Sequence, residues 1–435
     1  IGASDTNIAG IGTVNWDTTA KTAAFTAVSG RGYFVDTTSG AITVTLPASP
    51  SAGNIVAIKD YAGTAATNNI TIARNSSNIE GGTDDIVIST NSVSVSLIYV
   101  DATKGWSQVS DSSTSYIPAF VAATGGTITT CGNFKIHKFT GPGTFTVSNA
   151  GNALGSNAVD YLVVGGGGSG GADAGGGGGG GGLRASATTY SIGCNPASPL
   201  VCGVTALPVT AQAYPITVGG GGASPGPGNG APGCAPHGQN GSNSIFSTIT
   251  SAGGGGGGGG NDNTPGDTVP GGGNPGGSGG GGRGNCAVPN SPGGTGNTPV
   301  VTPPQGRNGG PSGGANGGGS GGGGGAAAVG GTGSGGPSPG AAGAGGAGAG
   351  FTCGAFGPGV GECSSCVQYF SGGGAGGGLC AGSQSGGLGG GGDNGTPSGA
   401  NGSTNTGGGA GGGRGNDKGG GAGGSGIVII RYKFQ

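Results

Sequence analysis

Runs of consecutive glycine constrain this chain more than anything else: Gly175 to Gly182 and Gly253 to Gly260 are unbroken, and 123 of the 435 residues are glycine. A stretch without side chains has no hydrocarbon to bury, so any order in it must come from backbone hydrogen bonds. Glycine also loses more conformational freedom on folding than any other residue, which by itself describes a flexible linker. The flanks argue otherwise, because β-like segments, Val159-Asp-Tyr-Leu-Val-Val164 and Ile427-Val-Ile-Ile-Arg-Tyr-Lys-Phe434, bracket the region. Between them, further runs at 317–325, 341–350, 372–378, 386–392 and 407–424 are broken only by Ala, Ser, Leu, Arg, Asn, Asp or Lys. Segments rich in Pro, Asn, Cys and aromatics separate the runs, at 195–199, 225–227 and 351–358 for example. Strict Gly-X-Y repetition is absent, which excludes collagen. The ordered alternative is a bundle of polyglycine II helices, with three residues per turn and a rise of about 3.1 Å per residue, so that a run of eight spans roughly 25 Å. Such helices have no internal hydrogen bonds and must pair with neighbours.

Residues 1–115 have ordinary composition and read as an N-terminal β-sandwich-like module. Seven segments alternate apolar with polar residues, at 25–28, 32–36, 41–46, 54–59, 69–73, 85–88 and 93–100, and turn chemistry separates them. Trp106 follows the last of these and reads as a lid on the module's core, with a ligand platform as the rival. A second β region, 116–164, is completed by the C-terminal strand at 427–435, and 165–426 forms the glycine-rich bundle with its loops. In this second region His137 alternates with Phe134 and Ile136 and is expected to face solvent beside Lys135. The fold expected is all-β with essentially no α-helix.

Charged residues are 7% of the chain and the net charge is −2, with 14 Lys and Arg scattered along it, so no basic footprint for nucleic acid is present. No apolar stretch approaches the roughly 20 residues of a membrane-spanning helix, and no membrane insertion is expected. The chain begins Ile1-Gly-Ala-Ser and has no Met, which suggests that a piece was removed or that this is part of something longer. Sixteen carboxylates and two His form no cluster beyond Asp84-Asp85, which reads as a solvated turn. Accidental matches to phosphate-loop patterns lack the Lys-Ser/Thr ending after a strand. Neither an enzyme nor a cofactor is expected. The nine cysteines fall mostly in the glycine-rich region. Cys194, Cys202, Cys353, Cys363, Cys366 and Cys380 are disulfide candidates, Cys194 with Cys202 closing a short loop. One Cys-x-x-Cys pair with no second pair and no nearby His makes a metal site the lesser alternative to disulfides or free thiols.

Several pieces together resemble the glycine-rich domain of bacteriophage tail-fibre proteins. They are Tyr161-Leu-Val-Val-Gly-Gly-Gly-Gly168, Tyr214-Pro-Ile-Thr-Val-Gly-Gly-Gly-Gly222, Ser244-Ile-Phe246 followed by Thr250-Ser-Ala-Gly-Gly-Gly, and Gly426-Ile-Val-Ile-Ile-Arg-Tyr432. The resemblance covers 134–435. Gly32-Tyr-Phe-Val-Asp-Thr-Thr-Ser-Gly40, Thr45-Leu-Pro-Ala-Ser-Pro-Ser-Ala-Gly53, Ile58-Lys-Asp-Tyr-Ala-Gly63 and Tyr99-Val-Asp-Ala-Thr-Lys-Gly-Trp106 are similar to a β module of phage tail fibres, especially those of marine cyanobacteria. The cysteines are more numerous than that family leads one to expect, which keeps an extracellular appendage in play. The resemblance implies a non-enzymatic structural adhesin of the virion, a tail fibre or receptor-binding protein. Its glycine bundle is a stiff mount whose loops touch a bacterial surface receptor, either a sugar or an outer-membrane protein. It also implies a homo-oligomer, a trimer first. The alternative is a structural subunit of an extracellular filament or cell-surface layer. Phe351, Phe356, Tyr369 and Phe370, in the loop with most side-chain substance, are the receptor-contact candidates; equally, they could pack a loop core or cap the bundle.

Overall fold

The computed structural model describes residues 14–109, 118–186, 200, 204–227, 236–259, 271–284, 290–314, 318–335, 340–352, 354–378, 382–395, 398–415 and 418–435. The architecture is all-β, and the chain divides into two compact units, 1–120 with 151–156 and 121–150 with 157–435. No helix among the described residues is long and apolar enough to cross a membrane.

In the first unit the chain winds between two sheets. Strands β1 (Asn15–Lys21), β3 (Arg31–Val35) and β5 (Ile55–Asp60) lie in parallel in one sheet, while β2 (Phe25–Thr26), β4 (Ile42–Thr45) and β6 (Ile70–Ala73) lie in parallel in the other. Strand β7 (Ile86–Ile88) closes the second sheet, and β8 (Ser94–Asp101) and β9 (Gly105–Gln108) close the first, all in antiparallel fashion. Two sheets therefore share one core, as a sandwich requires, but the winding is that of a short β-coil. Val35, Val44, Leu46, Ile58, Ile70 and Ile72 alternate inward from both sheets to fill it. Trp106 is fully buried within β9, so it belongs to the core and is not a cover over it. At the connection after β5, the buried carboxylate of Asp60 accepts backbone N–H bonds from Gly63, Ala65 and Ser92. On the outer face the Trp16 indole lies across Gly32, where an added Cβ would sit 2.6 Å from the ring. An aromatic ring there covers backbone that a glycine leaves bare.

The second unit is organised by a central sheet. Its strands run in the order β11 (Thr127–Cys131), β12 (Phe134–Phe139), β23 (Ile427–Lys433), β14 (Ala158–Val164), β15 (Leu183–Ala185), and β16 (Leu207–Pro208) also pairs with β14. Beside it lies a five-stranded sheet of β10 (Val121–Thr124), β13 (Gly143–Ala150), β17 (Ala213–Thr217), β18 (Ser244–Phe246) and β19 (Ile249–Ser251). The unbroken apolar runs of β14 and β23 reflect burial on both faces. Val159, Tyr161, Val163, Val428, Ile430 and Tyr432 point into one core, whereas Leu162, Val164, Ile427 and Ile429 point into another. The two segments that bracket the glycines in sequence are thus hydrogen-bonded neighbours, Tyr161 opposite Ile430.

His137 departs from expectation, for it is buried and does not face solvent. Phe139 shares its face of β12, and both lie beneath the five-stranded sheet, where the imidazole meets Phe145 edge-on at 5.0 Å. Nδ1 lies 2.8 Å from the Gly125 carbonyl, which can only accept, so the proton sits on Nδ1. Nε2 then accepts from the Tyr432 hydroxyl at 3.1 Å, and that hydroxyl accepts from the Ala123 N–H. Burial holds the imidazole pKa below its ordinary value, helped by Lys135 and opposed by the Gly125 bond. The unfolded chain takes up this proton near pH 6.5, whereas the folded one does so only at lower pH. The associated stability is therefore complete above about pH 6.5 and declines as pH falls below it. We expect thermal unfolding of this unit to shift to lower temperature between about pH 7.5 and pH 5, and His137→Gln to reduce the slope. An equal slope in the variant would assign the pH dependence elsewhere.

Candidate functional site

Strand β14 runs straight into the first glycine segment, and there the hydrogen bonds acquire a period of three. The N–H groups of Gly165, Gly168 and Gly171 donate to Gly182, Gly179 and Gly176. Those of Gly166, Ser169 and Ala172 donate to Ser242, Gln239 and Pro236, and those of Gly167, Gly170 and Asp173 to Gly424, Gly421 and Lys418, all at 2.8 to 3.2 Å. One segment thus has three sides, each bonded to a different antiparallel neighbour, which is the three-residue turn of polyglycine II. The run from Gly175 does the same with segments at 252–258 and 407–413, and bonds a parallel segment through Gly177 to Gly321 and Gly180 to Gly324. Substituent space is absent: a Cβ at Gly176, Gly177, Gly178 or Gly181 would lie 1.9 to 2.2 Å from a carbonyl oxygen of another segment. The second Hα of each of these residues is therefore directed at an oxygen, in a weak Cα–H···O contact.

Segments at the margin follow a different sequence rule. In Gly238-Gln-Asn-Gly241-Ser-Asn243 and Gly399-Ala-Asn-Gly402-Ser403, glycine recurs at every third position, facing inward, and Gln239, Asn240, Ser242, Asn243, Ala400, Asn401 and Ser403 are exposed. Local Gly-x-x repetition is the signal for a marginal helix. Its polar side chains also complete the lattice: the Asn240 and Asn243 side-chain carbonyls accept from Gly256 and Gly253, and Asn401 from Ala422. Each Asn side chain supplies the acceptor that the carbonyl of a neighbouring segment supplies elsewhere in the bundle.

The largest side-chain island between the runs is a three-stranded sheet, β20 (Ala349–Thr352), β22 (Val367–Phe370) and β21 (Glu362–Ser364) in spatial order. Its turn places Ser365 and Cys366 at φ 49° and 61°, the backbone of a type I′ hairpin. Three of the four contact candidates face inward. Phe351, Phe356 and Phe370 are at most 2% exposed and pack edge to face at 5.1 to 6.4 Å between centroids, in the core that holds Ile136, Leu162 and Ile429. They are the loop's own core, because rings of this size are drawn inward ahead of any ligand. Tyr369 points the other way, partly exposed, with its ring over Gly350. Buried Gln368 donates to the Gly357 and Val360 carbonyls, and Glu362 accepts from Gly389 and Gly390, tying the island to the adjoining glycine segment.

Among the described residues Cys363 and Cys366 are exposed free thiols and are not joined to each other. Cys363 lies opposite Gln368 in register while Cys366 occupies the turn, so neither is the other's cross-strand partner. Cys194, Cys202, Cys353 and Cys380 lie outside the described residues. Among the described residues, no group of three or more His, Cys, Asp or Glu could hold a metal ion.

The fold and this island define a class: a β-framed bundle of paired glycine helices that carries side-chain-bearing loops between its runs. The chain belongs to the glycine-rich domain family, whose profile matches residues 140–433, more than half of its length. No curated protein matches it.

Proposed function

We propose that this chain is a non-enzymatic structural adhesin, a tail fibre or receptor-binding protein of a bacteriophage, which attaches to a bacterial surface as a homo-oligomer. The observation that carries the reading is the three-sided hydrogen bonding of 165–182, rooted in the β14–β23 pair. A lattice in which each residue is held by a neighbour is stiff along its length, as a mount for recognition loops must be. The hairpin of β21 and β22 concentrates chemically varied side chains on such a mount, Cys363 and Cys366 exposed and Val367 and Tyr369 partly exposed. Partly exposed aromatics on a rigid support suit recognition, since little side-chain entropy is lost on contact.

The test separates surface from core. Tyr369→Ser with Val367→Ser leaves Phe351, Phe356 and Phe370 in place, and binding of purified protein to susceptible bacteria is expected to fall at least tenfold. Undiminished binding removes the hairpin from the contact surface. Electron microscopy of the same preparation decides between a finite fibre and the filament-subunit alternative, which predicts polymers from purified protein alone.

A further inference from the structure

A cleft of about 490 Å³ opens at the edge of the central sheet, away from the hairpin, between β14, β15, the segment at 204–208 and the loop at 302–303. Its size is that of a small-ligand site. Four residues with polar side chains are among those that line it, Arg184, Tyr161, Thr205 and Thr302. None of the four side chains makes a hydrogen bond or ion pair among the described residues. Apolar walls face them, chiefly Leu207 and Ile249.

The walls are fixed. Leu207 is paired to Val159 across β16 and β14. The 302–303 loop is clamped from within by Asn297, whose side chain accepts from the Val301 and Gln305 N–H groups. Gln305 in turn accepts from Leu183 through its backbone and from Ala252 through its side chain. Burial pushes the Tyr161 phenol above its ordinary pKa, so it remains a donor at neutral pH.

We propose that this cleft binds a sugar residue bearing a carboxylate, of the uronic acid class. A guanidinium fork matches the two oxygens of a carboxylate in plane. A single guanidinium balances the one negative charge of a carboxylate, whereas phosphate sites commonly add nests of backbone donors. Three hydroxyls supply the donors and acceptors that sugar hydroxyls need, and the Leu207 and Ile249 wall fits the C–H face of a pyranose ring. This site is separate from the hairpin and does not depend on the adhesin reading.

The test is calorimetric or NMR titration of the full chain with glucuronate, with glucose and inorganic phosphate as comparison ligands. Glucuronate is expected to bind saturably in the millimolar range usual for weak ligands, with Arg184→Gln weakening it at least tenfold and exposed Thr205→Val a few-fold, at unchanged melting temperature. Absence of saturable glucuronate binding, equal binding of glucose, equal binding of phosphate, or full affinity in both folded variants overturns the proposal.

Discussion

Gly257→Val is expected to destabilise the glycine domain by about 3 kcal/mol or more, at or beyond the top of the overpacking range, and to lower its melting temperature by roughly 5–10 °C. The Cβ would stand 2.0 Å from the Gly176 carbonyl oxygen, and that oxygen belongs to backbone, so no rotamer change relieves the clash. Gly257 also donates to Ser169 and accepts from Gly238, so moving its segment away breaks bonds to two neighbours at once. The matched control is Gly220→Ala. Gly220 is exposed, and nothing lies within 4 Å of its Cβ position. With fewer states open to the unfolded chain, that variant should be unchanged or more stable by up to about 1 kcal/mol. Equal melting temperatures for the two variants, measured by calorimetry, would refute close packing of the runs.

The second large effect lies in the loop island. Phe370→Ala removes a fully buried ring that touches both Phe351 and Phe356, and a loss of about 3–5 kcal/mol is expected. Its neighbour Tyr369, partly exposed, should lose only about 1 kcal/mol when changed to Ser. The contrast is read in denaturant unfolding, and comparable losses at the two positions would mean that the island has no inside. It also separates a failed fold from a failed contact in any cell-binding experiment.

Strand positions were legible wherever apolar and polar residues alternate, which is why the segments near 42–45, 55–60, 70–73 and 94–101 were found close to their true limits. Strand β1 was not found, because it is a mostly exposed strand at the end of its sheet with Trp16 as its single large apolar residue. Alternation also carries no record of which strand pairs with which, so the parallel winding between two sheets could not be read. The same limit misplaced His137: period two correctly separates it from Ile136, yet cannot tell that a second sheet covers its side. For the hairpin, composition marked the segment with most side-chain substance but not which faces turn inward. The glycine runs were more informative than ordinary sequence, since a residue with no Cβ reports directly on the space around it. The glycine segments at 271–284, 306–314 and 330–335 are not among the runs named from sequence, and the sparser Gly-x-x segments at 238–243 and 399–403 have repeats too short to register as periodic.

The same lattice has a calorimetric consequence. Melting an ordinary core exposes hydrocarbon and raises heat capacity by about 0.45 cal/K/mol per Å², whereas exposing polar groups lowers it by about 0.26. The interior of this bundle is largely amide, with Ser169, Ser278, Ser320 and Ser371 among the few buried side chains it holds. Its heat capacity of unfolding per residue should accordingly lie below the usual 12–15 cal/mol/K or so. A smaller heat-capacity change flattens the curve of stability against temperature, so a bundle built from peptide groups loses little of its strength in cold water or warm.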